Sequence, residues 1–398
     1  MYFYNNKNII FCACFSLHSD YYEDDKKSLN MDDGPGLVSA EEIILTPENF
    51  ETEAAYNKFM TQHPEALKSS EPTEEAIQPK VTLKNANADL ELTFIGLPNS
   101  NVVQSIYVGT TNAYALQFVK GGVKQLLSKR RMNKAKKTAT RVSTMTLYNF
   151  GHGQTLQYFS HKGKDYFWVV CKATNLAVKG LEKGDFNWGI QIGRLQFRDN
   201  TTINSYTDIP RLAGIDSANK TGKPYGKVYR VEAALSSDTH FLMIWMKNTA
   251  AGIQFSYYNV NTLNTILDSK ENQASKWGGY DDLRVREACK GQAQFTNGQW
   301  SVPNGVSFQG FEFSDGQAIY ISSGSQSQIP KIGKYYWGHG TPSVIVALSY
   351  PQFANRKNDN EVEGIQLKGD FIYVSQHFHK SSSNAVAQLV FRVPKSAF

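Results

Sequence analysis

The sequence predicts an all-β protein, a five-bladed β-propeller that its N- and C-terminal strands close. Five copies of one pattern indicate this: a Gln or Glu, a small residue, alternating apolar positions, a Gly/Asp/Ser turn and an aromatic-rich strand. The leading residues are Gln104, Gln154, Glu232, Gln309 and Glu363, spaced 50, 78, 77 and 54 residues apart. Hairpin repeats of this length are typical of propeller blades, which bury their faces only against neighbouring blades.

Composition and charge divide the 398 residues into a tail and one large domain. Hydrophobic residues make up 41% of the chain, and 23 Phe and 21 Tyr favour an aromatic-rich β core and exclude a disordered chain. Residues 1–79 carry 15 Asp/Glu against 5 Lys, whereas residues 80–398 carry 21 Asp/Glu against 37 Lys/Arg. We therefore expect an acidic tail (1–79) and a basic propeller domain (80–398) whose natural partners are polyanions.

The tail contains one predicted helix and one ambiguous apolar run. Thr46, Pro47 and the acidic residues after them favour a short helix over about 47–62 within an otherwise irregular, proline-rich segment. Residues 9–17 have the length of a signal-peptide core, but acidic residues follow and no Ala-x-Ala site does. The run at 1–19 is either an export signal or a segment that belongs to the sequence only because the assigned translation start lies upstream of Met31, the alternative start. No apolar run has the length of a membrane span, so no transmembrane segment is expected.

Strands are predicted from one end of the basic domain to the other. Residues 80–83 and 90–94 alternate with period two, as do Leu389, Phe391 and Val393 near the C-terminus. We expect these terminal strands to share one blade, which removes open sheet edges. No helical periodicity extends beyond about three turns. The four cysteines are too few for a disulfide framework, and Cys171 is predicted to be a small buried hydrophobe.

The five leading residues are the one symmetric polar set. If they project into the central channel, their amides and carboxylates form a ring that holds Ca²⁺ or ordered water. In the alternative, each side chain hydrogen-bonds backbone at a blade junction. Glu232 and Glu363 are also candidates for a hydrolytic acid/base pair. The chain has no His-Glu-x-x-His, Gly-x-Ser-x-Gly, Walker or Gly-x-Gly-x-x-Gly motif, which disfavours zincin and nucleotide chemistry.

Two further groups of residues are candidate sites. His377 and His379 point the same way on a predicted strand, where they either chelate a metal or lie at a solvated strand end. His152 and His339 lie in glycine turns, as ligand-facing or ordinary loop residues. Residues 124–141 carry eight bases and no acid, and form a predicted loop that either docks on a polyanion or is simply solvated. The bases are Lys124, Lys129, Arg130, Arg131, Lys134, Lys136, Lys137 and Arg141. No nucleic-acid-binding module accompanies them, so nucleic acid is not an expected partner.

Several ordered blocks between residues 100 and 398 resemble the helveticin J family of large, heat-labile class III bacteriocins. The blocks are DIPRL (208–212), VEAALSS (231–237), YNVNTL (258–263), FQGF (308–311), IYISS (319–323) and EVEGIQ (361–366). The resemblance implies a secreted antibacterial protein that acts on related lactic acid bacteria. The acidic tail and the basic stretch depart from the family's usual plan.

Two hypotheses of function follow. In the first, a bacteriocin binds the envelope of a related Gram-positive bacterium through teichoic acid, glycan or anionic lipid and kills it without catalysis; an immunity protein is then a further partner. In the alternative, the protein is a wall-active propeller that binds or cleaves glycans. The absence of catalytic motifs favours the first hypothesis.

Overall fold

Strands make up most of the structure, a computed structural model that describes residues 81–119, 124–174, 187–305, 307–356, 359–379 and 385–398. The prediction of an all-β protein is therefore confirmed. The acidic tail, its helix at 47–62 and the apolar run at 1–19 lie outside the described residues.

The described residues form 23 strands, two α-helices and three 3₁₀-helices. The strands are β1 (Thr82–Asn87), β2 (Asp89–Ile95), β3 (Val103–Val108), β4 (Asn112–Val119), β5 (Lys124–Asn133), β6 (Thr138–Tyr148), β7 (Leu156–His161), β8 (Lys164–Ala173), β9 (Gly189–Gln196), β10 (Thr202–Ile203), β11 (Arg211–Ala213), β12 (Val228–Leu235), β13 (Phe241–Asn248), β14 (Ile253–Asn259), β15 (Trp277–Gly279), β16 (Cys289–Phe295), β17 (Gly310–Phe313), β18 (Ile319–Ser323), β19 (Lys331–Tyr335), β20 (Val344–Ser349), β21 (Asn360–Lys368), β22 (Phe371–His379) and β23 (Ala385–Pro394). The helices are α1 (Val260–Lys270) and α2 (Leu283–Ala288), and the 3₁₀-helices are Tyr206–Asp208, Pro351–Arg356 and Lys395–Ala397.

The strands pair into antiparallel runs of four, which we number as units 1 to 5. The units are β3-β4-β5-β6, β7-β8-β9-β11, β12-β13-β14-β16, β17-β18-β19-β20 and β21-β22-β23-β2. Four parallel pairings extend them: β10 joins β6 in unit 1, β15 joins β11 in unit 2, β1 joins β20 in unit 4, and β2 joins β6, which links units 5 and 1. The first strands of the units contact one another in the closed order β3, β7, β12, β17, β21 and back to β3.

A separate hydrophobic cluster fills the space between each unit and the next. Strand β8 contributes side chains to two of these clusters. Phe167 and Val169 pack toward unit 1, whereas Trp168 and Val170 pack toward unit 3. Successive side chains point to opposite faces of a strand, so a strand buried on both faces is a continuous apolar run.

Strand β2 and the C-terminal strand β23 meet in unit 5, as expected from their alternation, whereas β1, which contains the predicted strand residues 82 and 83, lies in unit 4 instead. Strand β2 pairs antiparallel with β23, with Asp89 opposite Arg392 and Thr93 opposite Leu389. This pairing covers an edge that β23 would otherwise expose.

The helices α1 and α2, between β14 and β16, were not predicted from the sequence. The Asn259 side chain caps α1 by accepting a hydrogen bond from the Thr262 backbone N–H at 2.9 Å. Leu263, Ile266 and Leu267 of α1 pack into the cluster between units 2 and 3. Cys289, which starts β16, is a free buried thiol, and so is Cys171, as predicted.

Candidate functional site

The five leading residues of the repeats lie together, in or just before the first strand of each unit. Gln104, Glu232 and Glu363 are in β3, β12 and β21, and Gln154 and Gln309 lie just before β7 and β17. None has more than 9% of its surface exposed. Buried polar side chains of this kind require hydrogen-bond partners.

These residues provide the partners for one another, in what we call the central polar cluster. Gln154 is its hub: the side-chain amide donates to Gln309 Oε1 at 2.8 Å and to Glu363 Oε2 at 2.6 Å. Gln104 Nε2 donates to Glu363 Oε1 at 3.2 Å. The backbone N–H of Gln154 donates to Glu232 Oε2 at 2.9 Å. All five residues therefore belong to one network that spans the five units.

The small residue after each leading residue permits this close approach. A Cβ atom added at Gly310 would lie 2.8 Å from Gly364 Cα, and one added at Gly364 would lie 2.8 Å from Ser105 Cα. Thr155 occupies the same position in unit 2, where its Oγ1 donates to Glu232 Oε2 at 2.7 Å and accepts from the Ala233 N–H at 2.8 Å.

Arg230 completes the cluster, and the sequence analysis missed it. Its Nε donates to Glu232 Oε1 at 2.9 Å and its Nη2 donates to Gln154 Oε1 at 2.5 Å. The guanidinium carbon lies 3.6 Å from the ring centroid of Trp188 and 5.1 Å from that of Phe308. A buried arginine needs such charge, hydrogen-bond and cation–π partners. The signal in the sequence was a basic residue two positions before Glu232 in β12, where both side chains point to the same face of the strand.

Burial sets the protonation of the titratable groups in the cluster. Burial raises the pKa of Glu363 well above its usual range, and the charge of Glu361 adds to this effect. Burial also raises the pKa of Glu232, against the opposing effect of Arg230. The pKa of His152 falls to about 3 because the ring is buried and lies near Arg230. Its neutral imidazole stacks 4.2 Å from the Trp188 ring and lies 2.5 Å from Gln104 Oε1.

A second layer of polar side chains, three residues further along three of the first strands, was also missed. Gln157 accepts a hydrogen bond from the Leu235 N–H at 3.1 Å, and Gln366 accepts one from the Val108 N–H at 2.7 Å. Glu312 accepts from the Leu367 N–H at 3.1 Å and from Gln157 Nε2 at 2.6 Å. Burial raises the pKa of Glu312 to about 8. Each of these side chains bonds the backbone of a neighbouring unit, as the alternative hypothesis expected of the leading residues.

The geometry gives a metal ion little to bind in this region. Within the described part of the chain, no group of three or more His, Cys, Asp or Glu side chains could hold one. The oxygens of Glu232 and Glu363 already accept hydrogen bonds from Arg230, Thr155, Gln104 and Gln154. The central polar cluster is thus a closed hydrogen-bonded junction, whose carboxylate oxygens are occupied by protein donors and not free for Ca²⁺.

The histidine candidates also have partners within the protein. His377 Nε2 lies 3.0 Å from the Val103 carbonyl oxygen, and burial lowers its pKa to about 3. His379 Nε2 lies 2.8 Å from Glu361 Oε2. Both side chains are buried, so the hypothesis of a solvated strand end does not fit them. His339 lies exposed in its turn.

The basic stretch at 124–141 is not a loop, contrary to the prediction. It is the antiparallel pair β5 and β6 with a turn at 134–137. The predicted loop was wrong because five of the eight bases lie on these two paired strands, and only three lie in the turn between them. Arg130 is fully buried, donates to the Ala139 carbonyl at 3.1 Å and lies 5.0 Å from the Phe94 ring centroid, so it cannot contact a polyanion. Lys124 and Lys129 are half-buried, and the exposed bases are Arg131, Lys134, Lys136, Lys137 and Arg141.

The fold and the site define a class: an all-β protein whose repeated units meet in a buried polar junction. The family model described as Bacteriocin helveticin-J matches residues 83–396. The chain therefore belongs to the helveticin J family. A relative, bacteriocin helveticin-J of Lactobacillus helveticus, is 26% identical over 309 residues, which cover 71% of this chain and 87% of the relative.

Solved structures to which the chain is similar include a phage tail fiber and an enzyme. The tail fiber of a Staphylococcus aureus phage has a TM-score of 0.49 and 15% identity over 77% of this chain, which spans only 53% of the fiber chain. A GH43 endo-arabinanase from Bacillus licheniformis has a TM-score of 0.39 and 12% identity, over 75% of this chain and 95% of the enzyme. Among the described residues, no helix has the length and apolarity that crossing a membrane requires.

Proposed function

We propose that this protein is a secreted bacteriocin that binds the envelope of related Gram-positive bacteria and kills them without cleaving the cell wall. The observation that carries the proposal is the family match over residues 83–396, together with the 26% identity to bacteriocin helveticin-J. Killing of related bacteria, secretion and an immunity partner are parts of this proposal.

We further propose that units 1 to 5 are the five blades of one propeller. The closed contact order of the first strands supports this arrangement, and so do the five hydrophobic clusters, one between each pair of neighbouring units. In a propeller the blades exclude water from one another and leave their outer edges and connecting turns free for contact with partners.

Envelope binding is proposed to use the exposed cationic turn between β5 and β6. Lys134, Lys136 and Lys137 are exposed in this turn, and Arg131 and Arg141 are exposed on the adjoining parts of β5 and β6. Because exposed charges are screened by salt, such a surface attracts teichoic acid or anionic lipid with salt-sensitive affinity.

Burial of the two repeat carboxylates argues against wall cleavage by them. Glu232 is 1% exposed and Glu363 is 2% exposed. A general acid or base must reach its substrate within hydrogen-bond distance. Arg230, Thr155 and the surrounding amides occupy the space around these carboxylates.

The experiment is to treat indicator cells and isolated walls with the purified full chain while measuring viability, membrane permeability and soluble sugar release together. The proposal expects loss of viability with no release of wall fragments. Sugar release that disappears in folded Glu232→Gln or Glu363→Gln variants would establish the glycan-cleaving alternative instead. Intact viability at saturating protein would refute the bacteriocin proposal.

A further inference from the structure

A surface pocket of about 320 Å³ opens on unit 2, away from the central polar cluster. Strands β8, β9, β11 and β15 and the Tyr206–Asp208 turn form its walls. The side chains that matter are two bases, one amide and three aromatic rings: Lys172, Arg211, Gln191, Tyr206, Trp277 and Tyr280. No carboxylate is among the lining residues, so the pocket has a positive formal charge.

The aromatic rings are held in place by close backbone packing. A Cβ atom on Gly214 would lie 2.4 Å from Tyr280 Cδ1, so the tyrosine ring rests directly on the glycine backbone. Gly214 has a φ of +61°, which also favours glycine. Tyr280 is nonetheless 54% exposed, and its ring centroid lies 6.3 Å from that of Trp277. An exposed aromatic ring beside polar groups is typical of ligand sites.

The two bases of the pocket, Arg211 and Lys172, have hydrogen-bond donors available for a ligand. Arg211 is 8% exposed and lies 5.3 Å from the Tyr206 ring centroid. Its Nε donates to Gln191 Oε1 at 3.0 Å and its Nη1 to the Lys276 carbonyl at 3.4 Å, while its Nη2 has no acceptor in the described part of the chain. Lys172 has a φ of +61°, a left-handed conformation that L-residues adopt rarely and that recurs at binding sites.

We propose that this pocket binds a saccharide or polyol unit that carries a phosphate or carboxylate group. The anionic group accepts hydrogen bonds from Arg211 and Lys172, because charge-assisted bonds to guanidinium and ammonium are the strong ones. The sugar ring lies against Trp277 and Tyr280, whose faces suit its C–H groups. The assignment rests on the proposed function, since it specifies how the protein would recognise an anionic envelope polymer.

The test measures binding of the full chain to three immobilised polymers: glucosylated poly(glycerol phosphate), a polyuronate and a neutral glucan. The pocket variants are Lys172→Gln, Arg211→Gln and Tyr280→Ala. Two controls remove matched groups elsewhere: Lys290→Gln takes away an exposed charge, and Tyr148→Ala takes away a 39% exposed tyrosine. Thermal melts establish that each variant is folded, and Tyr280→Ala keeps the test valid if Arg211→Gln does not fold.

The wild type is expected to bind an anionic polymer and to bind the neutral glucan at least tenfold more weakly. Lys172→Gln and Arg211→Gln are each expected to weaken anionic binding about tenfold, since a charge-assisted hydrogen bond contributes about 1.4 kcal/mol or more. Tyr280→Ala is expected to weaken it about tenfold through loss of the ring face that contacts the sugar. The controls should stay within twofold of wild type. The phosphate and uronate polymers identify which anionic group is preferred. Pocket variants that bind like wild type, or equal binding of the neutral glucan, would overturn the assignment.

Killing assays with the same variants separate this inference from the proposed function. If the pocket variants lose polymer binding while the wild type leaves indicator cells alive, the pocket assignment stands and the bacteriocin proposal fails. If the wild type kills and the pocket variants bind and kill at unchanged doses, the bacteriocin proposal stands and the pocket assignment fails.

Discussion

Replacing Arg230 with methionine removes the one guanidinium of the central polar cluster while keeping a long apolar side chain. The variant leaves the Glu232 carboxyl, 1% exposed, without the partner that lies 2.9 Å away. Breaking a buried ion pair from one side costs about 3–5 kcal/mol, because the remaining charge is stranded in a low dielectric. The estimate of about 3–5 kcal/mol includes the loss of the cation–π contact between the guanidinium and the Trp188 ring.

Denaturant unfolding followed by circular dichroism measures this cost. We expect Arg230→Met to lower the free energy of unfolding by about 3–5 kcal/mol, a large share of the roughly 5–15 kcal/mol of a typical domain. The double variant Arg230→Met/Glu232→Gln removes the stranded carboxylate, so it should recover at least about 1 kcal/mol.

The pair of Arg284 and Asp282, 2.7 Å apart with the arginine side chain 51% exposed, offers a matched control. Arg284→Met should cost below about 1 kcal/mol, because water already solvates the guanidinium of that pair. A cost for Arg230→Met as small as that of Arg284→Met would refute the idea that the cluster is a closed junction. So would a double variant no more stable than Arg230→Met alone.

Three further predictions concern packing, pH and salt. Gly364→Ala should lower the free energy of unfolding by about 1–3 kcal/mol, since its Cβ would meet backbone at 2.8–2.9 Å; a neutral effect would contradict the tight approach of the first strands. Glu312 has a folded pKa of about 8 against an ordinary value of 4.5, so the stability it contributes is present below about pH 4.5 and is lost as the pH rises toward 8. The free energy of unfolding of Glu312→Gln, measured from denaturation curves, should therefore fall over this pH range by at least about 1.4 kcal/mol less than that of the wild type. An equal pH dependence in the two proteins would be evidence against the prediction. Lys134→Glu/Lys136→Glu should weaken binding to poly(glycerol phosphate) about tenfold at 50 mM salt and little at 500 mM salt, as tested by retention on the immobilised polymer; an unchanged salt dependence would exclude this turn from envelope binding.

The strands and the leading polar residues could be predicted because both follow from local repetition. Alternating apolar residues mark strands wherever they occur, and a repeated unit places the same residue type at the same point of each copy. Gln104 and Gln154 were found in this way. What the spacing did not show is that they bond mainly to one another, because that depends on how closely the first strands approach.

Arg230 and the second polar layer could not be identified by the same means. Arg230 occurs in one unit only, so repetition gives no signal. Gln157, Glu312 and Gln366 follow their leading residues at a constant offset of three, but Tyr107 and Leu235 hold that position in the other two units. A polar residue at this offset occurs in three of the five units, so it is recognised as a repeated feature only when the first strands are known to be neighbours.

The errors in the basic stretch and the helices have other causes. Arg130 is buried because distant backbone carbonyls accept its hydrogen bonds, and no local pattern reports such partners. The helix α1 is three turns long, too short for its periodicity to stand out from the strands on either side.

The pairing of Asp89 with Arg392 joins residues 303 positions apart in the chain. Contacts between such remote segments form late and slowly, because the intervening chain must first be ordered. Strand β23 is also synthesised after all the other strands of units 1 to 5, so a growing chain cannot complete unit 5 until β23 has been made. Refolding after thermal denaturation should be correspondingly slow. Unpaired strand edges of different unfolded molecules therefore have time to associate before each molecule folds.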